Sequence, residues 1–204
     1  MSQEDHMLEC APCDRAPTRS GQTRCLSLIG MPGSGKSTLA AGLARRLGWA
    51  FLDTDHLMEA WYGLPLENLR TALGRERFLQ VEEETVCSLD VRRCIIATGG
   101  SVIYSTRAVQ ALQTSGLIVY LQADYESIEQ RVSLHPERGL VMGPGQTLYD
   151  LYLERTPLYE RAADLVMATH KASIQACITT LEQTLHELWP EKVDPEKSRI
   201  SEIG

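Results

Sequence analysis

No apolar run in this chain approaches the ~20 residues a helix needs to cross a bilayer, which argues against a membrane span. Residues 1–21 are polar and lack the apolar centre of a secretory leader, so the expected location is the cytoplasm. Basic residues are in deficit: 20 Lys and Arg stand against 27 Asp and Glu, for a net charge of −7. A dedicated nucleic-acid binder would carry a basic face, so no nucleic-acid or membrane partner is expected, although a local basic pocket is still allowed. Cys10 and Cys13 form a C-x-x-C with His6 nearby, but a second such pair is missing. A structural zinc site wants four ligands, so this segment reads as a mobile tail. The six cysteines are expected to be reduced, with Cys25, Cys87 and Cys94 as small core residues. Internal repeats and low-complexity tracts are also lacking. The remaining features, 204 residues with 43% hydrophobic and 23% charged, describe one ordinary globular domain with tails.

Against these absences one stretch stands out. Residues 30–38 read Gly-Met-Pro-Gly-Ser-Gly-Lys-Ser-Thr, a complete G-x-x-x-x-G-K-[ST] phosphate-binding loop. It follows the apolar run Cys25-Leu26-Ser27-Leu28-Ile29 and precedes a segment with helical spacing from Leu39 to Leu47. That strand–loop–helix context separates the motif from a glycine-rich turn with a chance lysine. Backbone N–H groups of Gly33, Ser34, Gly35, Lys36, Ser37 and Thr38 are expected to face a phosphate, helped by the positive end of the helix. The Lys36 ammonium should reach the β- and γ-phosphates, and the Ser37 hydroxyl should hold Mg²⁺.

The rest of the chain alternates short apolar strands with helices, which predicts a parallel sheet covered on both faces. Strands are expected at 24–30, near 50–53, and at 93–98, 117–121 and 165–169. Helices are expected at 36–47, 56–62, 65–73, 75–90, 106–114, 125–134, 148–162 and 173–188, with Gly63 and Gly74 as breaks. Residues 1–23 read as a disordered extension, 24–188 as the domain, and 189–204 as a frayed tail. Residues 135–147 hold Pro136, Gly139, Gly143, Pro144 and Gly145, and read as a mobile lid.

A phosphate loop by itself does not separate hydrolase, switch and kinase. Asp53-Thr54-Asp55 lies at the end of the second strand, where open α/β sheets bind ligands. One of these carboxylates can help hold Mg²⁺ and the other can take the proton of an acceptor hydroxyl. Gly99-Gly100 ends another strand and lets backbone approach a ligand closely. Arg138 lies within the lid and can swing onto a transferring phosphoryl group. Arg155, beyond the lid, suits a substrate carboxylate.

Together these pieces resemble the shikimate kinase family over about residues 25–172. The matching motifs are G-M-P-G-S-G-K-S-T (30–38), F-L-D-T-D (51–55), I-I-A-T-G-G (95–100), Gln130-Arg131-Val132, Glu137-Arg138-Gly139-Leu140 and R-T-P-L-Y-E-R-A-A-D (155–164). The resemblance implies a P-loop NTPase of the nucleoside-monophosphate-kinase-like type: three α/β/α layers, a five-stranded parallel sheet and a lid. It implies ATP and Mg²⁺, with Asp53 near the metal, Asp55 at the acceptor hydroxyl, Arg131 against adenine, Arg138 as lid arginine and Arg155 as carboxylate anchor. Intact Lys36, Ser37 and Arg138 argue against a nucleotide-binding regulator without turnover. A monomer acting on a small molecule is expected.

The acceptor half departs from the family. F-R-x-x-E reads Phe78-Leu79-Gln80-Val81-Glu82, so a leucine replaces the arginine expected to grip shikimate, and G-G-G reads Gly99-Gly100-Ser101. Removing a buried, paired arginine costs about 2–5 kcal/mol. The loss frees Glu82 to face an ammonium, while Arg155 still favours a carboxylate. A small hydroxy amino acid fits that charge pattern, so homoserine is the first expectation and shikimate the alternative. Arg75 or Arg77 replacing the missing grip would restore shikimate.

Overall fold

The first strand enters at the centre of the sheet, and this places the phosphate loop. A computed structural model describes residues 11–12, 25–134 and 140–189. Its elements run β1 (Ala11–Pro12), β2 (Cys25–Ile29), α1 (Lys36–Leu47), β3 (Ala50–Asp53), α2 (Thr54–Tyr62), α3 (Leu66–Cys87), β4 (Cys94–Ala97), a 3-10 turn (Val102–Tyr104), α4 (Thr106–Ser115), β5 (Gly116–Gln122), α5 (Tyr125–Ser133), α6 (Leu148–Ala162), β6 (Leu165–Ala168) and α7 (Ile174–Leu188). The sheet order is β1-β6-β5-β2-β4-β3. The five strands from β2 to β6 pair in parallel, as the apolar alternation predicted. After β2 the chain runs out to β3, returns to β4, and then crosses to β5 on the other side of β2. The crevice at the carboxyl end of β2 is therefore the switch point where such sheets bind ligands.

Period-two alternation divides the core into two layers. Leu117, Val119 and Leu121 of β5 join Leu26 and Leu28 of β2 beneath α1 and α7. Ile118 and Tyr120 face the other way and pack with Ile29, Leu151 and Tyr159. In α1 the residues Leu39, Leu43 and Leu47 recur at helical spacing and are buried, and the helix stops at Gly48, whose φ of 63° lets its N–H cap Ala44. A third cluster, Met58, Leu69, Phe78, Val81 and Val141, ties α2 and α3 to the chain that enters α6.

Several boundaries differ from the sequence expectation for local reasons. The Asp53 carboxylate accepts the Asp55 N–H at 3.0 Å, so α2 starts at Thr54 rather than 56 and carries Asp55 in its first turn. Helix α3 is broken at Gly74 as expected, its backbone there being non-helical with φ 69°, and resumes at Arg75. It ends at Cys87 rather than 90, which leaves Cys87 exposed, whereas Cys25 and Cys94 are buried as expected. Residues 11–12, within the stretch read as disordered, pair antiparallel with β6 as a sixth strand. Without them β6 would be an open edge, and proline is tolerated in such an edge position. Cys10, Cys13, Arg138 and residues 135–139 of the lid lie outside the described residues.

Candidate active site

The nucleotide side of the crevice is built from backbone. Gly30, Gly33 and Gly35 have φ of 144°, 81° and 96°, which L side chains rarely adopt, and this curls the loop from β2 onto the start of α1. A side chain at Gly30 would also meet the Leu121 carbonyl oxygen at 2.7 Å. The loop is closed by Lys36, whose ammonium donates to the Gly30 and Met31 carbonyls at 2.9 and 3.0 Å. Burial lowers the Lys36 pKa to about 8, against the opposing pull of Asp55 and Asp53. The Ser34 hydroxyl is buried without a hydrogen-bond partner inside the protein, so the loop retains a donor suited to an anion.

Beside the loop lies a cavity of about 380 Å³ lined by Gly33, Gly35, Thr38, Arg131, Thr169 and Ile174, within the range of small-molecule sites. Arg131 donates to the Gly33 carbonyl at 3.0 Å, which fixes α5 against the loop. Thr169 donates to the Ser34 carbonyl at 3.3 Å and was not singled out in the sequence. Its position just after β6, at the carboxyl edge of the sheet, is the signal that could have found it.

Ser37 and Asp53 meet between the two halves of the site. The Ser37 hydroxyl donates to Asp53 Oδ2 at 2.6 Å. Two hard oxygen donors in contact fit Mg²⁺, which usually keeps few protein ligands and completes its shell with phosphate oxygens and water. Among the described residues no group of three His, Cys, Asp or Glu side chains forms a metal cage.

The acceptor side is built from side chains on separate elements, gathered around Gly99-Gly100 after β4. A methyl group at Gly99 would strike Glu82 Oε1 and come within 2.8 Å of Asp55 Oδ1. One at Gly100 would lie 3.0 Å from Arg155 Nη1. The two glycines thus sit between an acidic pair and a guanidinium. Burial raises the Asp55 pKa to about 6, with Asp53 adding to the rise. Burial raises the Glu82 pKa to about 7, followed by the charge of Asp55. The Ser101 hydroxyl lies close enough to pull Glu82 down but outside normal hydrogen-bond geometry.

Arg155 is 1% exposed, on the buried face of α6 between Leu151 and Tyr159. Its Nε donates to the Tyr104 hydroxyl at 3.1 Å and its Nη2 to the Val141 carbonyl at 2.8 Å. Tyr159 donates to the Gly100 carbonyl at 2.6 Å, locking α6 to the glycine turn. Tyr104 and Tyr159 are positioning residues that the sequence reading did not assign. Every expected site residue among those described converges on this crevice.

Comparison with known proteins agrees with this geometry. A family model described as Shikimate kinase matches residues 32–186. The chain belongs to the shikimate kinase family. It is accordingly an ATP-dependent phosphotransferase that acts on a hydroxyl of a small substrate. A shikimate kinase of Bordetella pertussis is 36% identical over 157 residues, covering 76% of this chain and 74% of that protein. The structure of a shikimate kinase from Acinetobacter baumannii in complex with shikimate matches with a TM-score of 0.75 at 28% identity, over 82% of this chain and 95% of that one. Thymidylate kinase from Candida albicans, at 13% identity and TM-score 0.54 over 85% of this chain and 94% of its own, shares the nucleoside-monophosphate-kinase-like fold alone. The homoserine-phosphorylating branch expected from Leu79 has no support in these relatives. The charge argument behind it also weakens in three dimensions, because a second guanidinium, that of the exposed Arg75, lies over the ring of Tyr104, whose hydroxyl accepts from Arg155.

Proposed function

We propose that this protein transfers the γ-phosphoryl group of ATP to a hydroxyl of shikimate. The observation that carries the reading is the placement of Asp55 and Arg155 on either side of Gly99-Gly100, beside the phosphate loop. A hydroxylated carboxylic acid seated on the glycines meets a carboxylate at one end and a guanidinium at the other.

The chemistry follows from those positions. Arg155 orients the acceptor through its carboxylate, while Asp55 accepts a hydrogen bond from the reacting hydroxyl. The hydroxyl oxygen attacks the γ-phosphorus, the bond to the β-phosphate oxygen breaks, and the hydroxyl proton passes to Asp55. Lys36 leaves the Gly30 and Met31 carbonyls to stabilise the charge spread over the phosphoryl oxygens. Ser37 and Asp53 would hold Mg²⁺, which when bound neutralises charge between the β- and γ-phosphates. Gly33, Ser34, Gly35 and Thr38 cradle the phosphates, and Arg131 lies along the nucleotide cavity. Arg138 enters as the lid arginine on its motif alone. A monomer in the cytoplasm is part of the same proposal.

The test is ADP release with ATP and Mg²⁺ against shikimate, homoserine and no acceptor. Turnover with shikimate supports the reading. Turnover with homoserine alone overturns it.

A further inference from the structure

Gly74 breaks the helical backbone of α3 with φ 69° and ψ 169°, and the helix restarts at Arg75. From that restart Arg75, Leu79 and Glu82 fall at i, i+4 and i+7 and share one helix face. Glu82, at the far end of this face, touches the Gly99 turn from the inside. Arg75, at the near end, lays its guanidinium over the Tyr104 ring, with Cζ 5.9 Å from the ring centroid. Arg155 approaches the same ring at 5.0 Å. Tyr104 thus gathers two guanidiniums at the acceptor side.

The other arginines of α3 are engaged elsewhere. Arg77, exposed like Arg75, pairs with Glu84 at 2.8 Å. Arg70 pairs with Glu67 and donates to the Leu140 carbonyl. Among the described residues no carboxylate pairs with Arg75. Glu154, the acid facing the Tyr104 hydroxyl, is held by Gln146 at 2.6 Å. Leu79 packs into the apolar cluster of Phe78 and Val81 and offers no charge.

Arg155 is partly committed within the fold, with two of its five N–H donors engaged. Two arms of its fork are used by Tyr104 and Val141, and Nη1 faces Gly100. A carboxylate bound through Nη1 leaves an oxygen that a second cation can take. We infer that Arg75 supplies it: the carboxylate grip of the acceptor pocket has moved one helical turn toward the N-terminus, from position 79 to Arg75, with Tyr104 as the plate that holds it beside Arg155. Four residues rise about 6 Å along the axis, a distance a long flexible side chain can span. Arg75 is therefore a specificity-determining residue for acids over neutral acceptors. This inference rests on the shikimate reading above.

The test compares shikimate with its methyl ester, which removes the acceptor charge, in wild type, Arg75→Ala and Arg77→Ala. In wild type, esterification should raise KM about tenfold or more, equivalent to ~1.4 kcal/mol per decade. Arg75→Ala should raise KM for shikimate by several-fold, with KM for ATP and the thermal unfolding midpoint unchanged, and should narrow the preference for acid over ester to what Arg155 alone provides. Arg77→Ala should behave as wild type. Adding Leu79→Arg to Arg75→Ala should restore the preference for the acid. An Arg75→Ala enzyme that keeps the wild-type KM, or that loses acid and ester equally, overturns the inference while leaving the shikimate reading intact. Absence of shikimate turnover in wild type overturns the reading itself.

Discussion

The two halves of the crevice are made differently. The phosphate cradle of the nucleotide half comes from nine consecutive residues whose glycines set the backbone and whose lysine folds back on the loop. The acceptor half comes from α2, α3, the glycine turn, the 3-10 turn and α6, and its chemistry is carried by side chains. A backbone cradle cannot shift by a residue without losing its curvature. A side-chain pocket can lose a group at one position and regain it a helical turn away, because positions four apart on a helix share a face. The motif of the first half is accordingly unbroken, whereas the second carries Leu79 and Ser101.

This contrast can be broken by substitutions on either side. The largest effect is expected from Lys36→Met, which should reduce kcat by on the order of 10³-fold or more while leaving the fold intact by circular dichroism. Retention of more than a few per cent of activity would remove Lys36 from the chemistry. Asp55→Asn should lower kcat by about 10²–10⁴-fold with little change in KM for ATP. Equal losses in both would place Asp55 on the nucleotide side. Gly99→Ala should force Glu82 and Asp55 aside, an overpacking cost of about 1–3 kcal/mol, and appear as a raised acceptor KM. A matching rise in KM for ATP would show that the halves are not separable.

Two pH effects sharpen the comparison further. With both substrates well below saturation the rate reports the free enzyme, so it should fall below about pH 6 as Asp55 takes a proton and above about pH 8 as Lys36 loses its own. A profile flat from pH 5 to 9 would deny both roles. The smallest effect concerns stability. The Glu82 pKa is raised from 4.5 in the unfolded chain to about 7 in the fold, so the folded state holds the proton more tightly. Its contribution is then most favourable at low pH and is lost as pH rises from about 4.5 through 7. Glu82→Gln should flatten that part of the curve of unfolding free energy against pH. An unchanged slope would mean that Glu82 is not held in its protonated form.

Much of this was legible beforehand, for reasons visible in particular residues. The strands from Cys25 and Leu117 were clear because apolar runs of that length, bounded by helical spacing, have few other uses in a parallel sheet. The start of α2 was misplaced by two residues because the Asp53 side chain, which also serves Ser37, acts as its cap. Pairing of residues 11–12 with β6 was not foreseen because two residues carry no periodicity and depend on the open edge they cover. The exposure of Cys87 followed from where α3 ends, which composition does not encode.

The site divides along the same line. From the residues alone came the phosphate loop, the acid pair, Arg155 and the loss of arginine at position 79, since each is a matter of residue type and local spacing. Only the tertiary structure placed Tyr104 against Arg155, paired Arg77 with Glu84, and left Arg75 over the same ring. The sequence read Leu79 as a missing cation and turned toward an ammonium-bearing acceptor. The fold sets a second guanidinium over the ring whose hydroxyl accepts from Arg155. Backbone conformation is dictated locally by glycine and by strand–helix order, whereas the net charge of a pocket depends on which side chains the packing of distant elements brings together.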